Sequence, residues 1–186
     1  MRIHQHFSVV GFCNTYIVGD PTTNKAILID PGHADYELIR LLEHFGYTLE
    51  AVLLTHRHSG HTEGLALLKK LYDFAIYAYD TQGEEDSYTS FNVSEAIQIG
   101  PFQVIPHLIG GHSQDSVIYQ IGEALFCGDT LGVAALGTTH TNRLREKLKE
   151  RIIVLIGSLN AQTLLFPGHG SPSTIQSELL FNQSLR

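Results

Sequence analysis

The sequence is short of cysteine, short of cations and without a long apolar run. Two cysteines, Cys13 and Cys127, cannot build a disulfide framework. Their scarcity fits a reducing compartment, with both expected as buried thiols. Only 12 Lys and Arg stand against 19 Asp and Glu, a formal net charge of −7. That balance argues against nucleic acid or an anionic membrane as the main partner. The longest strongly apolar run, Ile152 to Ile156, is far too short to cross a bilayer. The segment Met1-Arg-Ile-His-Gln-His has no continuous apolar core of the signal-peptide kind, so a cytoplasmic protein is the expectation. Linkers, low-complexity segments and strict repeats are absent from the sequence as well. What is there is 186 residues, 43% hydrophobic. That is enough for a single domain over 1–186 with a sizeable core.

Hydrophobic patterning places the elements. Ile3 to Val10 and Cys13 to Val18 read as strands broken at Gly11, and Lys25 to Ile29 as a third strand after the turn Asp20-Pro-Thr-Thr-Asn24. The chain therefore opens as an antiparallel meander. Asp35 to Phe45 is a helix, with Leu38, Leu41, Leu42 and Phe45 on one face and Gly46 at its end. Ala51 to Thr55 is a strand, Thr62 to Tyr72 a helix turning Leu65, Leu68, Leu71 and Tyr72 inward, and Ala75 to Tyr79 a short strand. Asp80 to Asn92 is polar and acidic, an exposed loop. Val93 to Ile99, Phe102 to Leu108, Ser116 to Ile121 and Ala124 to Cys127 are strands. Thr141 to Gly157 is a third helix, buried along Leu144, Leu148, Ile152 and Leu155. Thr163 to Phe166 is the last strand, and Ser173-Thr-Ile-Gln176 reads as a capping box opening a C-terminal helix. Two strand groups, each with helices, predict an α/β sandwich of two mixed sheets flanked by helices.

The chemistry collects at strand ends. Eleven histidines are present, and three fall within six residues, His56, His58 and His61, directly after the apolar strand Ala51 to Leu54. Neutral imidazole is the commonest metal ligand. Alternation in extended chain puts His56 and His58 on one side, so both can reach one ion. His112 lies in Gly110-Gly-His-Ser before a strand, Asp129 in Gly128-Asp-Thr after one, and His169 in Pro167-Gly-His-Gly after another. Each alone is an ordinary turn residue. Together, at strand ends, they define a candidate metal site.

These motifs resemble the metallo-β-lactamase superfamily, and within it the glyoxalase-II-like hydrolases. The matching residues are Thr55 to His61, Gly-His-Ser at His112, Gly-Asp-Thr at Asp129 and Pro-Gly-His-Gly at His169, in order along nearly the whole chain. Asp30 in Leu28-Ile-Asp-Pro-Gly also matches, at a position that buttresses the metal loop. The resemblance implies an αββα fold with metal at one edge of the sandwich. His56, His58 and His112 would hold a first ion, His61 and His169 a second, and Asp129 would bridge. Zinc is the implied metal, one or two ions, with iron an alternative at the first site. One position departs: Gly60 stands where the family motif has aspartate. The first site keeps all its ligands, so it is expected to bind more tightly than the second. The lost aspartate also orients the attacking water, and Asp115 is a tentative catalytic substitute, though a turn-capping role is the plainer reading.

The resemblance further implies hydrolysis of a small ester or thioester by metal-activated water. Alternatives are a mononuclear iron persulfide dioxygenase, which would use His56, His112 and Asp129 with His58 aside, and a relative holding metal without catalysis. Glyoxalase II grips glutathione with a C-terminal helical region, and these residues end about one helix after His169, so that grip is not expected. Among the remaining histidines, His33 is a candidate for the site edge. The basic run Arg143, Arg145, Lys147, Lys149 and Arg151 reads as a solvated helix face, with glutathione or CoA binding as the sharper alternative.

Overall fold

The computed structural model describes residues 1–79, 88–89, 91–93 and 95–186. The first half runs β1 (Arg2–Phe7), β2 (Asn14–Asp20), β3 (Lys25–Ile29), α1 (Tyr36–His44), β4 (Thr48–Leu53), α2 (Ser59–Thr62), α3 (Leu65–Leu71) and β5 (Ala75–Tyr77). The second half adds β6 (Ile97–Ile99), β7 (Phe102–Leu108), β8 (Val117–Ile121), β9 (Ala124–Gly128), β10 (Leu131–Gly132) and β11 (Ala135–Leu136). It closes with α4 (Asn142–Gly157), β12 (Leu164–Pro167), β13 (Ser173–Thr174), α5 (Ile175–Phe181) and a 3-10 turn at Gln183–Leu185.

β1 to β5 form one sheet in chain order: an antiparallel meander, then parallel β3, β4 and β5. The second sheet has the order β13-β12-β9-β8-β7-β6, with β12 parallel to β9. The period-2 alternation of each strand explains how the sheets stack. Tyr16, Val18, Ile27 and Ile29 point to the inner layer, where they meet Val104, Tyr119, Phe126 and Phe166 of the other sheet. Ile17, Ala26 and Leu28 point outward to Leu38, Leu42 and Leu68 of α1 and α3. Leu125 and Cys127 do the same toward Leu148, Ile152 and Ile156 of α4. The result is the αββα sandwich. Both cysteines are buried and free, as expected.

Four local readings change. The helix expected over 62–72 breaks at Glu63-Gly64, because Gly64 passes tight against the Asp30 turn: its N–H donates to Pro31 O at 2.9 Å, and a Cβ there would lie 2.5 Å from that oxygen. Leu71, expected inward, is exposed. The strand expected from Val93 forms only at Ile97–Ile99. The last helix is capped by Thr174, whose side chain accepts from Ser177 N, rather than by Ser173. Most of the acidic stretch expected as a loop, including Glu84-Glu85-Asp86, lies outside the described residues. Among the described residues no helix is long and apolar enough to cross a membrane.

Candidate metal centre

The parallel strands decide where the site lies. β3, β4, β9 and β12 all deliver their carboxyl ends to one edge of the sandwich, where α/β folds bind ligands. β3 ends in Asp30, β4 leads into His56 and His58, β9 into Asp129 and β12 into His169. The loop between β7 and β8 brings His112. The β9–β12 register pairs Pro167 with Gly128, so Asp129 and His169 emerge as neighbours. Gly168 between them has no room for a side chain: a Cβ would sit 2.5 Å from Asp129 Oδ1 and 2.7 Å from His61 Cε1. Asn14 stitches this edge, donating to Pro167 O and Gly170 O, and Tyr16 OH also donates to Pro167 O. Neither residue belongs to a motif, and sequence reading missed both. A buried asparagine within an apolar strand was the available signal.

All six residues selected from the sequence meet here. His56, His58 and His112 form one group of candidate ligand atoms, and His61, Asp129 and His169 another. Asp129 faces both. Its Oδ2 lies 3.9 Å from His56 Nε2, 3.7 Å from His112 Nε2 and 3.5 Å from His169 Nε2, and its Oδ1 lies 3.4 Å from His61 Nε2.

Four of the five rings are aimed by what holds their far nitrogens, as in built metal sites. His112 Nδ1 donates to Thr138 O at 3.0 Å and His169 Nδ1 to Phe12 O at 2.9 Å. A carbonyl only accepts, so each Nδ1 carries the proton and each Nε2 faces inward; Asp129 beside His169 Nε2 raises the pKa of that ring. Asp30, itself buried, organises His56 and His61. Its carboxylate accepts from Thr55 N at 2.7 Å, Thr55 Oγ1 at 2.6 Å and His61 Nδ1 at 3.1 Å. Thr55 Oγ1, having given its proton to Asp30, accepts from His56 Nδ1 at 3.1 Å. Asp30, His56 and His61 also cluster within ligand reach of one another. The Asp30 oxygens are already occupied by these donors, so Asp30 braces the loop, as expected from its place after β3.

Do these residues fit a cation? His56 Nε2 is buried without a hydrogen-bond partner, and His61 Nε2 and Asp129 Oδ1 have only each other, at 3.4 Å and out of hydrogen-bond alignment, which native interiors rarely allow. His58 Nδ1 and His112 Nε2 approach to 3.1 Å, close to the roughly 3.3 Å that separates two ligand nitrogens of a tetrahedral zinc site. Inward lone pairs around an anionic carboxylate are the donor set of a divalent metal, and the residues fit one.

Electrostatics separates the two groups. Burial, helped by the charge of His61, lowers His56 to about 4, and burial lowers His112 too. Burial alone would also lower His61, but the Asp30 and Asp129 carboxylates overturn it and raise that ring to about 10. Burial would raise Asp129; its contacts with His169 and His61 win and hold it well below the usual carboxylate range. Without metal, then, His56 is neutral at pH 7 and His61 carries a proton.

Asp115 joins neither ligand group. Its Oδ2 accepts from Arg57 N at 3.0 Å and Arg57 Nε at 3.1 Å, clamping the chain between His56 and His58. His33 is in neither ligand group and does not line the adjoining cavity. On α4, Arg145 donates to Ser184 Oγ, Lys149 to Arg186 O and Arg151 to Ile109 O, so these cations tie the helix to its surroundings.

Gly60 sits in α2 without a positive φ, and a Cβ there meets nothing within 4 Å. Gly60→Asp therefore carries no left-handed strain. The added carboxylate is expected to tighten the second group for metal by at least about tenfold, the smallest effect typical even of groups that touch a metal indirectly. Chelator competition measures it, and an unchanged affinity would remove the claim that Gly60 is the gap in this site.

Residues 8–97 match the metallo-beta-lactamase superfamily. A hydroxyacylglutathione hydrolase of Dechloromonas aromatica (strain RCB) is 30% identical over 164 residues, covering 87% of this chain and 60% of that protein. The chain spans about 60% of the length of the curated relatives it matches. The crystal structure of ETHE1 from Myxococcus xanthus superposes with a TM-score of 0.85 at 25% identity, over 98% of this chain and 84% of that one. That of BLEG-1 B3 metallo-beta-lactamase gives 0.85 at 24% identity over 99% of both chains, a likeness of fold. With the motif residues gathered at one edge of an αββα sandwich, the chain belongs to the metallo-β-lactamase superfamily and is glyoxalase-II-like within it.

Proposed function

We propose that this chain is a metal-dependent hydrolase of a small ester or thioester. The observation that carries it is Asp129, one carboxylate facing two groups of inward ring nitrogens whose buried atoms have no other partner. His56 Nε2, His58 Nδ1, His112 Nε2 and Asp129 would hold a first ion, and His61 Nε2, His169 Nε2 and Asp129 a second. Imidazole-rich donors suit zinc, and also iron. When bound, a metal supplies Lewis acidity, lowering the pKa of water and polarising a carbonyl. The chain's own residues do the positioning: Asp30, Thr55, Thr138 and the Phe12 carbonyl fix the rings, and Asp129 supplies the negative charge. Overall, water adds to the carbonyl carbon, the C–S or C–O bond breaks, and the departing thiol or alcohol takes the proton.

The iron dioxygenase reading needs His58 out of the way. Instead His58 groups with His56 and His112, its Nδ1 3.1 Å from His112 Nε2, which favours the three-imidazole site. One preparation tests all readings. After dialysis, metal content is expected nearer one than two ions per chain. Thioester hydrolysis should disappear with chelation and return with zinc, without substrate-dependent oxygen uptake. A metal-loaded protein that consumes oxygen and leaves thioesters intact would replace this reading with the dioxygenase. A loaded protein inert in both assays would leave a metal-holding relative.

The proton states add a pH prediction. Metal at the second group must displace the His61 proton at any pH below about 10. Its affinity should therefore rise about tenfold per pH unit between 7 and 9. His56, lowered to about 4, imposes no such dependence on the first group. Calorimetry in buffers of different ionisation enthalpy should show at least about one more proton released by the second ion than by the first, since Asp129 also raises His169 of that group. Equal release by both would contradict the assignment.

A further inference from the structure

A cavity of about 320 Å³ opens directly beside the ligand groups. Asp129, His112 and His169 line it together with Val133, Leu136 and Pro167. Among the described lining residues there is no lysine or arginine. Resting on the hydrolase reading above, we propose that the substrate carries an uncharged, apolar chain of a few carbons on one side of its scissile carbonyl, seated against Val133 and Leu136.

The apolar wall is built. β10 and β11 form a short hairpin separate from both sheets. Its roots, Leu131 and Leu136, belong to the core under α4. Its tip, Ala134, has φ +55, and its N–H donates to Glu178 Oε2 at 2.9 Å. Glu178, on α5, is 2% exposed and also accepts from Ser173 Oγ and Asn182 Nδ2. A buried carboxylate with three donors thus fixes the hairpin in place, and Val133, 48% exposed, is left at the cavity. Phe12, whose carbonyl holds the His169 ring, is itself 68% exposed.

Such a wall rewards one kind of group. A carboxylate pressed against Val133 would lose its water and find no cation in exchange. An alkyl chain loses nothing and gains by leaving water. The carbonyl, by contrast, needs the polar residues Asp129 and His112. The cavity thus joins the polar ligand residues to apolar side chains, which is the profile of an acyl chain or an alkyl leaving group.

The test uses the zinc-loaded protein and N-acetylcysteamine thioesters, whose thiol is neutral. Across acetyl, butanoyl and hexanoyl esters, kcat/KM is expected to rise about fourfold per methylene while the chain stays buried. The succinyl ester should fall below the butanoyl ester by at least about tenfold. A second arm fixes the acetyl group and varies the thiol from N-acetylcysteamine to hexanethiol and glutathione. A gain confined to one arm assigns the chain to that side of the carbonyl. In Val133→Glu the hexanoyl-to-acetyl ratio should collapse. Calorimetric binding of hexanoate against adipate reads the same preference without turnover. Hydrolysis that ignores chain length, prefers succinyl or survives Val133→Glu with its ratio intact would overturn the inference and leave the hydrolase reading standing. If no thioester is cleaved, the hydrolase reading fails, and the inference falls with it unless hexanoate still outbinds adipate in a Val133-dependent way.

Discussion

Asp129→Asn should empty the first metal group and abolish hydrolysis. Asp129 is the only carboxylate among the six gathered ligand residues, and its two oxygens face both groups. Asparagine keeps the shape, removes the charge and replaces an oxygen by a nitrogen that donates. A doubly charged cation would then face neutral donors alone at either group. Activity should fall by at least about 10³-fold, since an ion that activates water and stabilises the developing oxyanion is lost together. Metal content at the first group should drop more than in His61→Ala, because His61 Nε2 lies with the second group. Bound metal in the two variants, measured side by side, checks this. An Asp129→Asn protein that keeps its full metal complement would reduce Asp129 to a turn residue after β9.

Asp30→Ala should have the largest effect on folding. Asp30 is 2% exposed, and three buried donors converge on its carboxylate. Removing it strands Thr55 N, Thr55 Oγ1 and His61 Nδ1. It also leaves the charged His61 ring, raised to about 10, without one of the two carboxylates that support it. Breaking a buried charged contact in this way costs about 3–5 kcal/mol. In a chain of this size that lowers the melting temperature by roughly 10 °C. Alanine meets a further penalty, because residue 30 has φ +50, where aspartate and asparagine are better tolerated than alanine. Asp30→Asn keeps an acceptor and the backbone preference, so it should recover part of the loss. Thermal unfolding of both variants without metal separates bracing from ligation. A melting temperature unchanged in Asp30→Ala would mean that the carboxylate contributes nothing to the stability of the loop it contacts.

The candidate ligands were legible in the sequence because each is announced locally. His56 and His58 follow an apolar strand with the spacing of extended chain, and His112, Asp129 and His169 each sit in a glycine turn at a strand end. The meander, α1 and the buried stripe of α4 were legible for the same reason: period and caps are properties of neighbours along the chain. Other features depend on contacts between distant residues, and these only the tertiary structure decided. Asp115 looked available beside His112, yet folding brings it to Arg57 on another loop. The helix after His61 looked continuous, yet Pro31 packs where it would have passed. Nothing near Val133 in sequence marks it as a cavity wall, since its hairpin is held by Glu178 from the far end of the chain. The ring tautomers likewise follow from Thr138, Phe12 and Asp30, all distant in sequence from the rings they hold, and the Phe12 contact with His169 forms only when the two sheets stack. A sequence determines which side chains a site can use; hydrogen bonding and packing across the fold determine which atoms are left to use.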